Sequence, residues 1–173
     1  YFKQQLALVA ATGLPLFLHC RNAAEELADI LEEYASSLKG GVIHSYDGSL
    51  EDAQRLLKLG FHIGINGCSL KTKENLTVAA ELPEERLLLE TDAPWCEIRP
   101  SHAGHGFIKT IFKQVKKEKW EPGLMVKGRN EPCQITQVLE VLAAVRKQDE
   151  AALASTIFQN TMRLFFPKES LCN

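Results

Sequence analysis

The sequence predicts an α/β fold built on a parallel sheet, on three observations. Four short runs, "LPLFLH", "GGVIHSY", "FHIGIN" and "RLLLET", are continuously apolar rather than alternating, as strands covered on both faces are. Each is separated from the next by a stretch of helical periodicity, the order that places helices over a parallel sheet. Three of the four also carry a histidine or an aspartate at or just past the carboxyl end of the strand, and in such sheets the ligand lies at the carboxyl ends of the strands.

Taken in order, "YFKQQLALVAATG" reads as an amphipathic helix with Phe2, Leu6, Val9 and Ala10 on one face. It opens without an initiator methionine and lacks the basic end and cleavage site of a signal peptide, so the chain looks cut from something longer. The first strand, Leu14 to His19, leads to a helix over Ala23 to Ser36 with Leu27, Ile30, Leu31 and Tyr34 as its apolar stripe. The second strand precedes a helix over Leu50 to Leu59, closed by Gly60. After the third strand, a helix over Lys73 to Leu82 ends before Pro83. Beyond the fourth strand the rhythm gives way to a long loop, Ala93 to Glu131, and then to helices over Pro132 to Lys147 and Glu150 to Phe165. No linker or low-complexity segment divides the 173 residues, which read as one domain.

Composition narrows the class. With 45% hydrophobic and 24% charged residues the chain is neither disordered nor fibrous, and a formal charge of -2 gives no global attraction to nucleic acid, so anion binding must come from a local patch. Cys20, Cys68, Cys96, Cys133 and Cys172 are odd in number, widely spaced and without a Cys-x-x-Cys pair, which fits a reducing compartment and small core or surface side chains. No apolar run approaches the roughly 18 residues of a membrane span. An intracellular chain with no membrane partner is expected.

The chemistry is expected where the strands end. The first gives His19, the second His44 and the fourth Asp92, while the third ends in Asn66 and Gly67, which offer a hydrogen bond and room. A lone histidine after a strand is ordinarily a packed core residue. Two histidines and an aspartate at equivalent strand ends converge on one rim, which packing does not require. Imidazole with carboxylate suits a divalent ion of the zinc, manganese or iron kind, and such an ion activates water.

At "LPLFLHCR", "GVIHSYDG", "IGINGCSLK", "LLLETDAPW" and "RNEPC" the sequence resembles the TatD-type metal-dependent deoxyribonucleases, over essentially its whole length. The resemblance implies the last four βα units of a TIM-type (β/α)8 barrel of the metal-dependent hydrolase superfamily, hydrolysing DNA phosphodiesters with two divalent metal ions of the zinc, magnesium or manganese class. It implies that His19 and His44 hold the second metal, and that Asp92 holds the first and acts as catalytic base toward water. DNA is the implied partner, and the nucleus, rather than the cytoplasm, the implied location.

The pattern is incomplete: there is no His-x-His in the chain and no counterpart of the family's strand-four glutamate. A full barrel takes about 250 residues. Three ligands are too few for two tight sites, so this polypeptide is expected to have weak or no activity by itself and to be prone to self-association through open barrel edges. A silent fragment acting through another chain, or a related barrel hydrolase acting on amides or esters, are the alternatives.

Further candidates surround the rim. Glu90 either orients a ligand or substrate or is a buried acid paired with a base; Arg21 and Lys71 either bind substrate phosphate or form structural ion pairs. Arg129 or Asn130 of "RNEP" is expected to tie the loop to the rim, and Pro132 to open a helix. Lys109, Lys113, Lys116, Lys117 and Lys119, beside Phe112 and Trp120, suit a DNA backbone or simply form a solvated face. His102 and His105 have metal-like spacing in a Gly-containing loop.

Overall fold

The computed structural model describes residues 1–167. Its centre is a four-stranded parallel sheet in sequential order, β1 (Leu16–His19), β2 (Gly41–His44), β3 (His62–Ile65) and β4 (Leu87–Leu89). Between them run α2 (Ala24–Tyr34), α3 (Leu50–Lys58) and α4 (Lys73–Glu81), after an opening helix α1 (Phe2–Thr12). The expected α/β order is present, with each strand two or three residues shorter than its apolar run.

Local signals set the helix ends. Gly13 closes α1 at φ 64 and Gly60 follows α3 at φ 89, left-handed positions where a Cβ is costly. Ser49 caps α3 by accepting from the Asp52 N–H, and Thr72 with Asn75 makes a reciprocal capping box on α4. Arg55 joins α3 to α2 through Asp29 at 2.7 Å and Glu32 at 2.9 Å, solvent-exposed ion pairs that contribute little to stability. The core carries the stability: Leu31, Ile43, Leu56, Ile63, Leu87 and Leu142 are fully buried, each contributing on the order of 2 kcal/mol.

Three expectations are corrected. In α1, Leu6 is buried and Phe2 and Val9 pack against the core, but Ala10 faces solvent. Strand β1 is buried on one face only: Leu16 and Leu18 point into the core while Phe17 is 62% exposed and His19 is also exposed. Its apolar run therefore overstates its burial, because among the described residues no layer covers the outer part of that face. The stretch from Ala93 to Glu131 is not featureless. It holds a 3-10 turn (Ala103–Phe107) and a small parallel ribbon of β5 (Gln114–Val115) and β6 (Met125–Val126), two-residue strands too short to leave a periodic signal.

The chain ends in α5 (Ile135–Arg146), entered through a 3-10 turn at Pro132–Gln134, and α6 (Glu150–Phe165), capped by Asp149. Helix α5 packs on α4 and α6, and α6 on β4. Arg146 inserts between helices, donating to the carbonyls of Ala79, Ala80 and Leu82 at 2.7–3.1 Å, where α4 leaves its last acceptors unpaired. Buried Glu140 gathers the loop onto α5, accepting from the N–H groups of Lys109 and Thr110 and from the Thr110 hydroxyl. Burial by itself raises its pKa, but these donors outweigh burial and hold it below the ordinary value. No helix among the described residues is long and apolar enough to cross a membrane.

Candidate active site

Parallel register brings the strand ends level. His19 pairs with His44 across β1 and β2, and their rings lie 5.5 Å apart. Phe17 packs its ring against His44 at 5.1 Å. The Asp92 carboxylate comes to 3.9 Å from His44 Nε2. The expected convergence of His19, His44 and Asp92 on one rim is therefore what the strands produce. A cavity of about 510 Å³ opens there, walled by Phe17, His44, Glu90, Asp92, Pro132 and Ile135.

Glu90 organises this cluster. Its carboxylate lies 2.7 Å from His44 Nδ1 and also accepts the Ser45 backbone N–H. No lysine or arginine pairs with it among the described residues. With the proton on Nδ1 directed to Glu90, His44 presents the Nε2 lone pair toward Asp92, the orientation a metal-binding imidazole requires. The reach across β3 depends on Gly64: a Cβ there would lie 2.9 Å from Glu90 Oε1 and 3.1 Å from its Cδ. Glycine in a buried strand signals such a close approach, and "FHIGIN" carries one.

Asp92 itself sits past the end of β4, at φ 56. Its loop turns at once: the Trp95 N–H donates to Asp92 O at 2.8 Å, and the Ala93–Pro94 peptide is cis. Of the two "RNEP" candidates, Asn130 ties the loop. Nearly fully buried, it donates from Nδ2 to Thr91 O and Trp95 O at 2.8 and 2.7 Å, and its own N–H donates to Pro94 O. Arg129 pairs with Glu131 at 3.3 Å and borders a neighbouring cavity with Phe112 and Trp120. Asn66, fully buried at the end of β3, donates to Ser45 Oγ and accepts the Cys68 N–H.

The remaining candidates make no hydrogen bond or ion pair with His44, Glu90 or Asp92 among the described residues. Arg21 and Lys71 are exposed and take part in no ion pair among the described residues. Lys109 pairs with Glu150, whereas Lys113, Lys116, Lys117 and Lys119 are exposed beside half-exposed Trp120. His102 Nδ1 accepts the Arg99 N–H within its turn; burial, then the nearby Lys71 and Arg99 charges, lower its pKa. No group of three or more His, Cys, Asp or Glu able to enclose a metal occurs among the described residues.

One contact was invisible in the spacing of the cysteines. Cys68 and Cys96 bring their sulfurs to 2.8 Å, and Cys96 donates to Asp92 Oδ2 at 3.3 Å. Burial, then the Cys68 and Asp92 contacts, raise the Cys96 thiol pKa. Cys20 and Cys133 stand apart from this pair, and Cys172 lies outside the described residues.

Fold and site together define a parallel α/β protein with two histidines and an aspartate gathered at the carboxyl rim of its sheet. The chain belongs to the family described as TatD related DNase, which matches residues 1–166. It is 48% identical over 167 residues to the Schizosaccharomyces pombe protein named Deoxyribonuclease Tat-D, covering 95% of this chain and 54% of that protein. The Saccharomyces cerevisiae protein of the same name is 38% identical over 213 residues, covering 95% and 51%. A crystal structure of a hydrolase TatD family protein from Entamoeba histolytica superposes with a TM-score of 0.91 at 31% identity, covering 96% of this chain and 56% of that one. The chain spans about half the length of the curated relatives it matches.

Proposed function

We propose that this chain supplies the Asp92 half of an active site that hydrolyses DNA phosphodiester bonds, within the last four βα units of a (β/α)8 barrel. The observation that carries the proposal is the His44–Glu90–Asp92 cluster: an imidazole locked by one carboxylate, its free nitrogen facing a second carboxylate, at the strand ends of a family whose members are named deoxyribonucleases. A buried packing histidine has no need of a dedicated anionic partner on one nitrogen and an accessible acid at the other.

The donor set fits a divalent ion in part. As the family resemblance assigns them, His19 and His44, the latter through Nε2, would hold one ion and Asp92 another, and Glu90 keeps His44 in the tautomer that binds. When bound, such an ion neutralises phosphate charge and makes its water more acidic. The protein's own work is positional and basic. Asp92 takes the proton of the attacking water as the water oxygen bonds to phosphorus and the bridging oxygen leaves. Asn130 fixes the backbone on either side of Asp92, and the exposed Lys71 and Arg21 supply cations for the DNA backbone near the rim.

Three ligands do not make two closed sites, so full activity is assigned to a polypeptide of the length its relatives have. The test is DNA hydrolysis by the polypeptide that carries this chain in its complete reading frame, with Mg2+, Mn2+ or Zn2+. Asp92→Asn is expected to lower the rate by about 100-fold or more while leaving the fold intact. A D92N variant that retains the wild-type rate overturns the assignment.

A further inference from the structure

We propose that Cys68 and Cys96 are an oxidative modification site, a thiol pair that closes to a reversible disulfide beside Asp92. Their sulfurs are 2.8 Å apart, although 28 residues separate them in sequence. A disulfide bond is about 2.05 Å long, so the sulfurs need to approach by less than one ångström.

The approach is built into both backbones. Gly67 lets the Cys96 loop press against the turn holding Cys68, since a Cβ at Gly67 would lie 2.0 Å from the Cys96 carbonyl oxygen. Asn66 Oδ1 holds the Cys68 N–H at 2.8 Å on one side of the pair. Asn130 Nδ2 holds the Trp95 carbonyl at 2.7 Å on the other. Cys96 itself adopts φ 56, a left-handed turn that carries its side chain back toward both Cys68 and Asp92. Both cysteines are half-buried residues rather than sealed in the core.

With hydrogen peroxide as oxidant the step balances. One thiol is oxidised to a sulfenic acid as peroxide is reduced to water; the second sulfur then bonds to it and a second water leaves. The two electrons and both thiol protons end in the two waters, and a dithiol reductant reverses the bond by exchange. The product has lost the S–H that Cys96 donates to Asp92 and joins the two loops covalently.

Peptide mapping tests the proposal on the purified, fully reduced polypeptide that carries this chain in its complete reading frame. After brief peroxide treatment and alkylation of remaining thiols, a peptide cross-linking Cys68 to Cys96, lighter by two hydrogens, is expected as the dominant oxidation product. Dithiothreitol should abolish it, Cys133→Ser should leave it unchanged, and oxidation in urea should lose the selectivity. The proposal is overturned if both thiols are recovered alkylated while other cysteines oxidise. Cross-links that scatter among all cysteines, or an equal Cys68–Cys96 share in urea, overturn it as well. The mapping on the wild type needs no substitution at either cysteine, so misfolding of a variant cannot obscure the answer.

Discussion

Replacing Gly64 with alanine should disable the His44–Glu90 interaction without touching either residue. The added Cβ would stand 2.9 Å from Glu90 Oε1, 3.1 Å from its Cδ and 3.3 Å from Ile43 O, so the carboxylate must withdraw. Withdrawal forfeits the bonds to His44 Nδ1 and the Ser45 N–H. Hydrogen bonds to a charged group are each worth about 1.5–3 kcal/mol; partial water access and side-chain adjustment bring the expected loss to about 2–3 kcal/mol in total. The assay is a double-mutant cycle by urea denaturation with Glu90→Ala. Once the carboxylate is gone, only the Ile43 carbonyl oxygen at 3.3 Å remains tight against the methyl, and alanine in place of glycine should then cost much less than in the wild type. Coupling of 2 kcal/mol or so is therefore expected. Equal costs of Gly64→Ala in the two backgrounds would refute the claim that Gly64 acts by making room for Glu90.

Asn130→Ala removes three loop contacts at once and should cost about 2–4 kcal/mol in urea denaturation while increasing amide exchange over 91–96. Arg146→Met should cost on the order of 2–3 kcal/mol, because three carbonyls at the end of α4 lose their donor; an unchanged melting transition would contradict it. His62 is buried with Nδ1 unpartnered, and burial, then the Arg86 charge, lowers its pKa. The unfolded state then binds the proton more readily, so this contribution to stability is fully kept above the unfolded pKa of about 6.5 and declines as pH falls toward the depressed folded value. Urea midpoints measured across that range should fall with acid in the wild type and fall less in His62→Phe.

The parallel order was legible because β2, β3 and β4 are covered on both faces and so read as unbroken apolar runs. Strand β1 carried the same signal, yet burial depends on what lies opposite, and Phe17 is exposed despite its apolar neighbours. The rim residues were legible for a related reason: period-two geometry and parallel register bring His19 and His44 level whatever the loops do. The role of Glu90 was half legible. Its place two residues before Asp92 suggested a supporting carboxylate, but its partner, His44, lies two strands away and is reached only over a residue without a side chain. Asn130 was one of two candidates its motif offered for tying the loop, whereas the Cys68–Cys96 contact depends on how the turns after β3 and β4 meet, which no local periodicity encodes.

The central claim is that this rim serves phosphodiester hydrolysis rather than another hydrolytic reaction. The most direct measurement compares initial rates on a DNA oligonucleotide, a small amide and a small carboxylic ester, using the complete-frame polypeptide loaded with Mn2+ and its Asp92→Asn variant. DNA cleavage that disappears in the variant, with the amide and ester left intact by both, is the predicted result. Amide or ester turnover that depends on Asp92 while DNA remains uncut would contradict it.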